Sequence, residues 1–164
     1  FIDGDAAFCM DCIEDAIKRL RDNVPGIVIR STAIAGFPGE TDEEFEATVK
    51  FAEKIRFDKV HVFPYSIREG TKAAKLSGHL TNQIKSDRAA RLNGICEEIR
   101  KDIFRTTKGK TYSVLFETPK DEYQVGYTAN YTPVVVKTNE NLTNKIKNVL
   151  ITGILDEYCI GELV

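Results

Sequence analysis

The spacing of apolar positions predicts helix and strand in alternation at the start of the chain. Apolar residues recur at helical spacing over residues 9–23, which predicts a helix that ends before Pro25 and Gly26. The apolar residues at 27–29 and 33–35 predict one strand. Because this strand shows little polar alternation, it is expected to be covered on both faces, as in a parallel sheet.

A glycine turn over residues 36–40 leads into a second predicted helix. Thr41 and Glu44 have the spacing of a capping box, which marks a helix N-terminus. This helix is expected to end near Arg56, and residues 59–65 form a second predicted strand. Such alternation predicts right-handed crossovers and a parallel sheet or part of a βα barrel.

A third, long helix is predicted from Thr81 to about Arg105, after which the pattern changes to short β-branched or aromatic segments between turn residues. The predicted strands are residues 111–117, 123–127, 132–137, 147–152 and 158–164. Five short strands in so little chain favour a small closed β-barrel of the oligonucleotide-binding kind. The predicted fold is therefore α/β over residues 1–105, followed by an all-β barrel over residues 106–164.

Composition excludes several classes of protein. Of the 164 residues, 42% are hydrophobic and 29% are charged, with a net charge of −2, so neither a disordered chain nor a polycation is expected. The longest apolar stretch, residues 149–155, falls well short of the roughly 20 residues that cross a bilayer. With no charged-then-apolar leader and four scattered cysteines, a cytoplasmic protein with reduced thiols is expected.

Charge is unevenly distributed along the chain. Residues 85–110 carry eight basic and four acidic side chains, whereas residues 106–164 carry six and seven. We therefore expect a local phosphate-tracking surface where the long helix meets the first barrel strand, with aromatic rings that stack on bases. The candidate RNA-binding residues are Arg105, Lys108, Lys110, Tyr112, Tyr127, Asn130 and Tyr131. The alternative is that the tyrosines close the barrel core and the charges only solvate a helix.

A candidate ligand site lies where the two predicted parallel strands end. Ligands of parallel βα arrays bind beyond the carboxyl ends of the strands, where Gly36 and Tyr65 are expected side by side. Arg68 in the following loop could pair with a phosphate or carboxylate. The alternatives are that Gly36 only makes a tight turn and that Arg68 is only solvated. His61 is a lone histidine in the second predicted strand, where a packed, hydrogen-bonded side chain is the alternative to a catalytic one.

Taken together, these segments resemble the methylthiotransferase branch of the radical S-adenosylmethionine enzymes. The resemblance holds in order and spacing from residue 27 to residue 103. It is carried by Gly-Phe-Pro-Gly-Glu-Thr at 36–41, Arg-Phe-Asp at 56–58, Val-Phe-Pro-Tyr-Ser at 62–66 and Arg-Glu-Gly-Thr-Lys-Ala-Ala at 68–74. The terminal barrel resembles the TRAM domain, an RNA-binding appendage of these enzymes.

The resemblance extends to a substrate class. His61 with the motif that follows it, and Gly-Tyr-Thr-Ala-Asn-Tyr at 126–131, are similar to the members that act on N6-threonylcarbamoyladenosine 37 of tRNA. Ile-Arg-Ser-Thr at 29–32 is also found in relatives that modify an aspartate of a ribosomal protein. The alternatives are thus the ribosomal-protein substrate and a non-catalytic RNA-binding module.

The resemblance also implies cofactors and their contacts. The family uses S-adenosylmethionine and two [4Fe–4S] clusters to install a methylthio group by radical chemistry. The residues that match the family's cofactor pocket are Ile34 and Gly36, near the adenine, and Phe63, Pro64 and Tyr65, at the neighbouring edge. tRNA is the implied partner, and no membrane is involved.

The chain departs from the family pattern in its cysteines. It contains no Cys-x3-Cys-x2-Cys, and Cys9 and Cys12 precede the glycine strand, so both are expected to be ordinary thiols rather than metal ligands. We therefore expect a C-terminal part of a longer protein, with no catalytic residue, no metal site and no bound cofactor, which is inactive alone. Unpaired strand edges in such a partial barrel predict self-association.

Overall fold

The computed structural model describes residues 6–164, and of residues 6–9 only the backbone. The chain divides into two compact units between Arg100 and Lys101. The helices are α1 (Ala6–Asn23), α2 (Asp42–Ile55) and α3 (Asn82–Arg105), with a short 3-10 helix at Ala73–Lys75. The strands are β1 (Arg30–Ala35), β2 (Lys59–Pro64), β3 (Thr111–Lys120), β4 (Tyr123–Thr128), β5 (Pro133–Lys137), β6 (Ile146–Leu155) and β7 (Tyr158–Leu163). No helix among the described residues has the length and apolar character to span a membrane.

The first unit contains a parallel pair of strands, as the sequence predicts. In β1 and β2, Arg30 lies opposite Lys59 and Ala35 lies opposite Pro64. One face of the pair packs on α2 and α3 around a core of Ala35, Phe45, Val49, Ala52, Val60, Ala89, Leu92 and Cys96. The other face leaves Ile34 57% and Phe63 54% exposed. The expectation that the first strand is covered on both faces is therefore wrong for the part of the chain that the structure describes.

Residues 27–29 are expected to begin the first strand, but β1 starts at Arg30. The cause is Asp58, whose carboxylate accepts a hydrogen bond from the Ile29 N–H at 2.8 Å. The backbone N–H of Asp58 in turn donates to the Ile29 carbonyl at 3.0 Å. A side chain thus takes the donor that a ladder would use, and regular pairing starts one residue later.

The helix termini follow the predicted capping. The Glu44 N–H donates to Thr41 Oγ1 at 3.2 Å and the Thr41 N–H donates to the Glu44 carboxylate at 2.9 Å, which confirms the capping box. Arg56 closes α2 in the left-handed conformation, with φ of 53°. Thr81 caps α3 by accepting from the Ile84 N–H at 3.3 Å.

Helix α1 buries less of its apolar stripe than the spacing suggests. Ile17 is buried, whereas Ile13 and Leu20 are 41% and 45% exposed. A polar contact ties this helix to α2, because Arg21 donates to the Ile55 carbonyl at 2.6 Å. Cys12 of α1 is exposed, and the side chain of Cys9 lies outside the described residues.

The second unit is a closed five-stranded barrel in the order β3-β4-β5-β7-β6. All five predicted strands are present, with bounds shifted by up to three residues. Only the β5–β7 pair is parallel. Its core comprises Phe104, Val114, Phe116, Val134, Val136, Leu142, Val149, Ile151 and Cys159.

The strands of the first unit have unpaired edges. Among the described residues, β1 pairs only with β2. An edge with unpaired N–H and C=O groups can pair with another chain, so self-association stays a prediction. Light scattering of the purified chain tests it, and a strictly monomeric result would count against it.

Candidate functional site

The carboxyl ends of β1 and β2 form a rim at which the predicted ligand residues lie together. Ile34 lies opposite Phe63, and Ala35 lies opposite Pro64. The Tyr65 N–H donates to the Ala35 carbonyl at 2.8 Å, which extends the pairing by one residue. Gly36 and Tyr65 are therefore neighbours, at the edge where parallel sheets bind ligands.

Gly36 is required by the packing of the rim itself. Its φ of +77° lies in the left-handed region, and a Cβ at this position would be 2.4 Å from Lys85 Cγ. The room that the sequence assigns to a planar ligand is thus taken, on the Cβ side, by the stem of Lys85. The role of Gly36 as a cofactor contact stays a prediction.

A network of charges, largely buried at Glu40 and Arg88 and exposed at Asp42, holds the turn that follows Gly36. The carboxylate of Glu40 accepts from the Gly36 N–H at 2.8 Å and from Arg88 at 2.6 Å. Arg88 also donates to Asp42 at 2.6 Å. Burial alone would lower the pKa of Arg88, but its hydrogen bonds to the two carboxylates outweigh burial and raise that pKa. The turn is therefore fixed to α3 by a charged cross-link.

Tyr65 combines an enclosed ring with an unsatisfied hydroxyl. The ring meets Phe37 edge to face, with centroids 5.3 Å apart, and lies 6.1 Å from the ring of His79. Its hydroxyl is buried and has no hydrogen-bond partner among the described residues. An orphaned polar group of this kind costs free energy unless a ligand pairs with it.

The rim as a whole fits a ligand with a flat apolar part and polar atoms. Ile34 and Phe63 provide the exposed apolar surface, and Tyr65 provides a hydroxyl that has no hydrogen-bond partner among the described residues. This donor and surface set fits S-adenosylmethionine. Arg68 lies exposed in the loop after β2, where its carbonyl accepts from Thr71 Oγ1 at 2.8 Å.

A metal cluster finds no such fit. Across residues 6–164, with side chains described from residue 10, no group of three or more His, Cys, Asp or Glu side chains could hold a metal ion. Cys12 is exposed, and Cys96 is buried. Burial raises the pKa of the Cys96 thiol, and the charge of Glu97 adds to that effect.

The barrel places the predicted RNA-binding tyrosines in three different settings. Tyr112 packs against the core, because it shares the inward side of β3 with Val114 and Phe116. Its position favours the alternative of a tyrosine that closes the barrel, and its stacking role stays a prediction. Tyr127 is half-buried, and Tyr131 is 71% exposed.

Tyr131 stands on a short turn that hydrogen bonds make rigid. Its φ is 61°, and its N–H donates to the Thr128 carbonyl at 2.9 Å. Thr132 N–H donates to Thr128 Oγ1 at 3.0 Å, and the side-chain oxygen of Asn130 accepts from both threonine hydroxyls. Because these hydrogen bonds fix the backbone that carries the exposed Tyr131 ring, little backbone entropy is lost when a base stacks on the ring.

An apolar row on the outer face of the barrel was not predicted. Leu115 pairs with Tyr127 on one side and with Ile146 on the other. Leu115 is 43% and Ile146 is 66% exposed. The alternation of β3 contained the signal, because with Val114 and Phe116 inside, Leu115 must face outward.

The predicted basic stretch is less available than its composition suggests. Four of its arginines form ion pairs, which are Arg88 with Glu40 and Asp42, Arg91 with Glu46, Arg100 with Glu97, and Arg105 with Asp102. Lys108 and Lys110 are exposed just before β3 begins. The last β3–β4 pair joins Val114 to Thr128, so the Tyr131 turn lies at the end of this strand pair where β3 begins.

Comparison with known proteins gives consistent relatives, although no protein-family model matches the chain. The chain is 33% identical over 96% of its length to the threonylcarbamoyladenosine tRNA methylthiotransferase of Bacillus subtilis. It is 34% identical over 92% of its length to a ribosomal protein uS12 methylthiotransferase of Alkaliphilus oremlandii. This chain belongs to the methylthiotransferase family.

A third type of family member matches as well. The tRNA-2-methylthio-N(6)-dimethylallyladenosine synthase of Alkaliphilus oremlandii is 36% identical over 90% of the chain. The chain spans about a third of the length of these relatives, with 36%, 36% and 32% of each covered. Relatives with three different substrates thus match with similar identity, and their names do not separate the substrates.

Proposed function

We propose that the intact protein installs a methylthio group on N6-threonylcarbamoyladenosine 37 of tRNA in the cytoplasm. The observation that carries this proposal is the match over 96% of the chain to a methylthiotransferase of that substrate. In this proposal, S-adenosylmethionine and two [4Fe–4S] clusters supply the radical chemistry when bound to the intact protein. In this proposal the present chain, whose sequence contains no Cys-x3-Cys-x2-Cys, provides neither cluster ligands nor a catalytic residue and is expected to be inactive alone.

The role of the first unit is to hold the adenosine end of S-adenosylmethionine at the rim. Ile34 and Phe63 would contact its apolar part from the open face of the strand pair, and Gly36, Pro64 and Tyr65 would border it. The more than half exposed side chains of Ile34 and Phe63 support this role, since covering them removes apolar surface from water. Aromatic stacking on a base contributes about 1–3 kcal/mol.

The role of the barrel, a TRAM domain in this proposal, is to bind RNA. The apolar row of Leu115, Tyr127 and Ile146 and the rigid Tyr131 turn offer stacking surfaces of the kind that hold single strands. Arg105, Lys108 and Lys110 would contact phosphates near the start of β3, with Asn130 at the turn as a further contact. Arg68, in the first unit, is a separate candidate contact for the substrate.

Charge reversal tests the RNA surface. Changing Arg105, Lys108 and Lys110 to Glu should abolish tRNA binding at low salt, because phosphate contacts dominate non-specific affinity. The matched control reverses three exposed lysines of the first unit, Lys50, Lys72 and Lys75, and changes the net charge equally. Gel-shift titrations that give the same tRNA affinity for both triple variants would remove this surface from the proposal.

The second candidate is the methylthiotransferase of a ribosomal protein. Relatives named as uS12 methylthiotransferases are 34% and 39% identical to the chain over 92% and 74% of its length. Mass spectrometry of tRNA and uS12 from a strain that lacks the gene separates the two. Loss of the methylthio group from tRNA supports the first candidate, and its loss from uS12 supports the second. No loss from either favours the non-catalytic RNA-binding module.

A further inference from the structure

The Lys85 side chain is largely buried, and its ammonium has no counter-charge among the described residues. It is 6% exposed, although a lysine is almost never buried unless it is paired. Within the part of the chain that the structure describes, no carboxylate lies within ion-pair distance of its ammonium group. The Lys85 ammonium lies over the ring of Tyr65, whose centroid is 5.9 Å from Nζ.

The nearby carboxylate is already committed to other donors. Glu40 accepts from the Gly36 N–H and from Arg88, and Arg88 is bound to Asp42 as well. Among the described residues, Lys85 is thus an enclosed cation of the rim whose charge no hydrogen-bonded carboxylate matches. The Lys85 ammonium is not among the fully buried polar atoms, so it is enclosed by the rim and yet open to a partner that supplies the opposite charge.

The position of Lys85 is fixed by the backbone around it. Its Cβ and Cα lie 3.0 and 3.1 Å from where a Cβ of Gly36 would be, so the first turn of α3 sits directly on the rim. The Lys85 N–H donates to the Thr81 carbonyl at 3.1 Å, within the capped start of the helix. The stem is therefore held, and the ammonium is directed toward the Tyr65 ring.

Tyr65 provides a second, independent polar group at the same place. It is 9% exposed, and its hydroxyl is buried without a partner among the described residues. A phenol hydroxyl and an ammonium are both hydrogen-bond donors. The Lys85 ammonium and the Tyr65 hydroxyl, neither of which has a hydrogen-bond partner among the described residues, are together complementary to an oxygen anion.

We propose that Lys85 and Tyr65 form an oxyanion-binding subsite at the rim, which takes a carboxylate or phosphate group of the bound ligand. The proposal rests on the proposed function of the rim, which it deepens by naming a contact for the charged part of the ligand. The anion has two sources of the same chemistry. One is the amino-acid carboxylate of S-adenosylmethionine, and the other is a phosphate attached to a nucleoside.

Two pairs of probes distinguish the sources in calorimetric titrations of the 164-residue chain. S-adenosylhomocysteine and methylthioadenosine differ by the amino-acid part with its carboxylate, and adenosine 5′-monophosphate and adenosine differ by the phosphate. We expect the member of one pair that bears the carboxylate or phosphate to bind roughly tenfold or more tightly than the member that lacks it, the effect of a hydrogen bond to a charged group.

The decisive variant is Lys85→Met, which keeps an unbranched stem beside Gly36 and removes the charge. Lys85→Met should erase the preference for the probe that bears the carboxylate or phosphate, and Tyr65→Phe should reduce that preference by several-fold. Lys75→Met, at an exposed lysine of the same unit, is the matched control and should bind as the unaltered chain does. Circular dichroism verifies that each variant is folded, and Tyr65→Phe provides the test if Lys85→Met does not fold.

The proposal is overturned if the unaltered chain shows no preference in either pair, including no binding at all. It is also overturned if the preference persists in folded Lys85→Met. If all four adenosine-containing probes bind equally well, the proposed adenosine site at the rim is retained and only the oxyanion subsite is removed. The proposed reaction itself is tested separately, by mass spectrometry of tRNA and uS12 from the strain that lacks the gene.

Discussion

The two units of this chain bury their strands in different ways. In the barrel, every strand has a neighbour on both sides, and Val114, Phe116 and Val134 are fully buried. In the α/β unit, two strands have one covered face, while Ile34 and Phe63 on the other remain more than half exposed. The barrel thus completes its own core, whereas the α/β unit keeps an apolar surface for something else to cover.

The means of holding each unit together differ as well. The barrel core is apolar, and its strands approach closely at Gly126 and Gly161, where an added Cβ would lie 2.5 Å from a carbonyl oxygen. In the α/β unit, α3 is bound to the rim and to β2 by charged groups. Arg88 contacts the turn after β1, and Glu97 contacts Lys59 of β2. Four pairs of substitutions test this contrast.

The largest effect is expected from Phe116→Ala. Phe116 is fully buried, so its truncation removes apolar contacts and leaves a cavity, at a cost of about 3–5 kcal/mol in unfolding free energy. Phe63→Ala, on the open face of the α/β unit, should change this free energy by less than about 1 kcal/mol. Urea unfolding, with hydrogen exchange of the β3 amides, measures both. Equal losses would mean that the open face is not open in solution.

The next effect concerns the charged cross-link. Arg88→Met leaves the largely buried Glu40 carboxylate without its cation and should cost about 3 kcal/mol. Arg91→Met is a matched control, because Arg91 follows on the same helix and its guanidinium also lies over the Phe45 ring. Its ion pair with Glu46 is half exposed, so a loss of only about 0–1 kcal/mol is expected. If the two variants are equally stable, the buried pair does not hold the rim.

Much of this architecture could be predicted from local sequence, because its determinants are local. The capping box at Thr41 and Glu44 depends on residues three apart, and the barrel strands follow β-branched segments between turns. The start of β1 could not be predicted in this way. It depends on Asp58, which is 29 residues away from Ile29 in sequence.

The candidate site shows the same division. The adjacency of Gly36 and Tyr65 follows from parallel pairing, which the strand pattern indicates. The contact of Lys85 with Gly36 joins residues from different elements, and no periodicity signals it. The availability of the basic side chains in residues 85–110 could not be predicted for a similar reason. Composition counts their charges but does not show that carboxylates distant in sequence pair with Arg88 and Arg91.

A pair of glycine substitutions tests the close packing of the barrel. Gly126→Ala places a Cβ 2.5 Å from the Leu115 carbonyl oxygen and 2.7 Å from Val114 Cγ1, so strands must shift. A loss of about 1–3 kcal/mol is expected from such overpacking. Gly94→Ala in α3 meets no atom within 4 Å and should gain about 1 kcal/mol from helix propensity. Thermal unfolding measures both changes, and a stabilising Gly126→Ala would contradict the tight strand contact.

The smallest effect concerns the ion pair between α3 and β2 and depends on pH. Glu97 accepts hydrogen bonds from Lys59 at 2.6 Å and from Arg100 at 3.4 Å. Burial alone would raise the pKa of Glu97, but the Lys59 hydrogen bond and the two positive charges outweigh burial and lower it. The pair therefore stabilises the fold above the unfolded-state pKa of about 4.3, and this contribution is lost as pH falls through the lower folded-state pKa.

Glu97→Gln should accordingly cost about 1 kcal/mol at neutral pH, in the upper range for a partly exposed pair. The difference from the unaltered chain should shrink toward zero as the pH falls through the lowered folded-state pKa of Glu97, because both chains then lack the charge. Urea unfolding across this pH range measures it, with Glu69→Gln in the exposed loop as a control that should change little. A difference that stays constant with pH would mean that Glu97 contributes through packing, and the α/β unit would then resemble the barrel more than its charged contacts suggest.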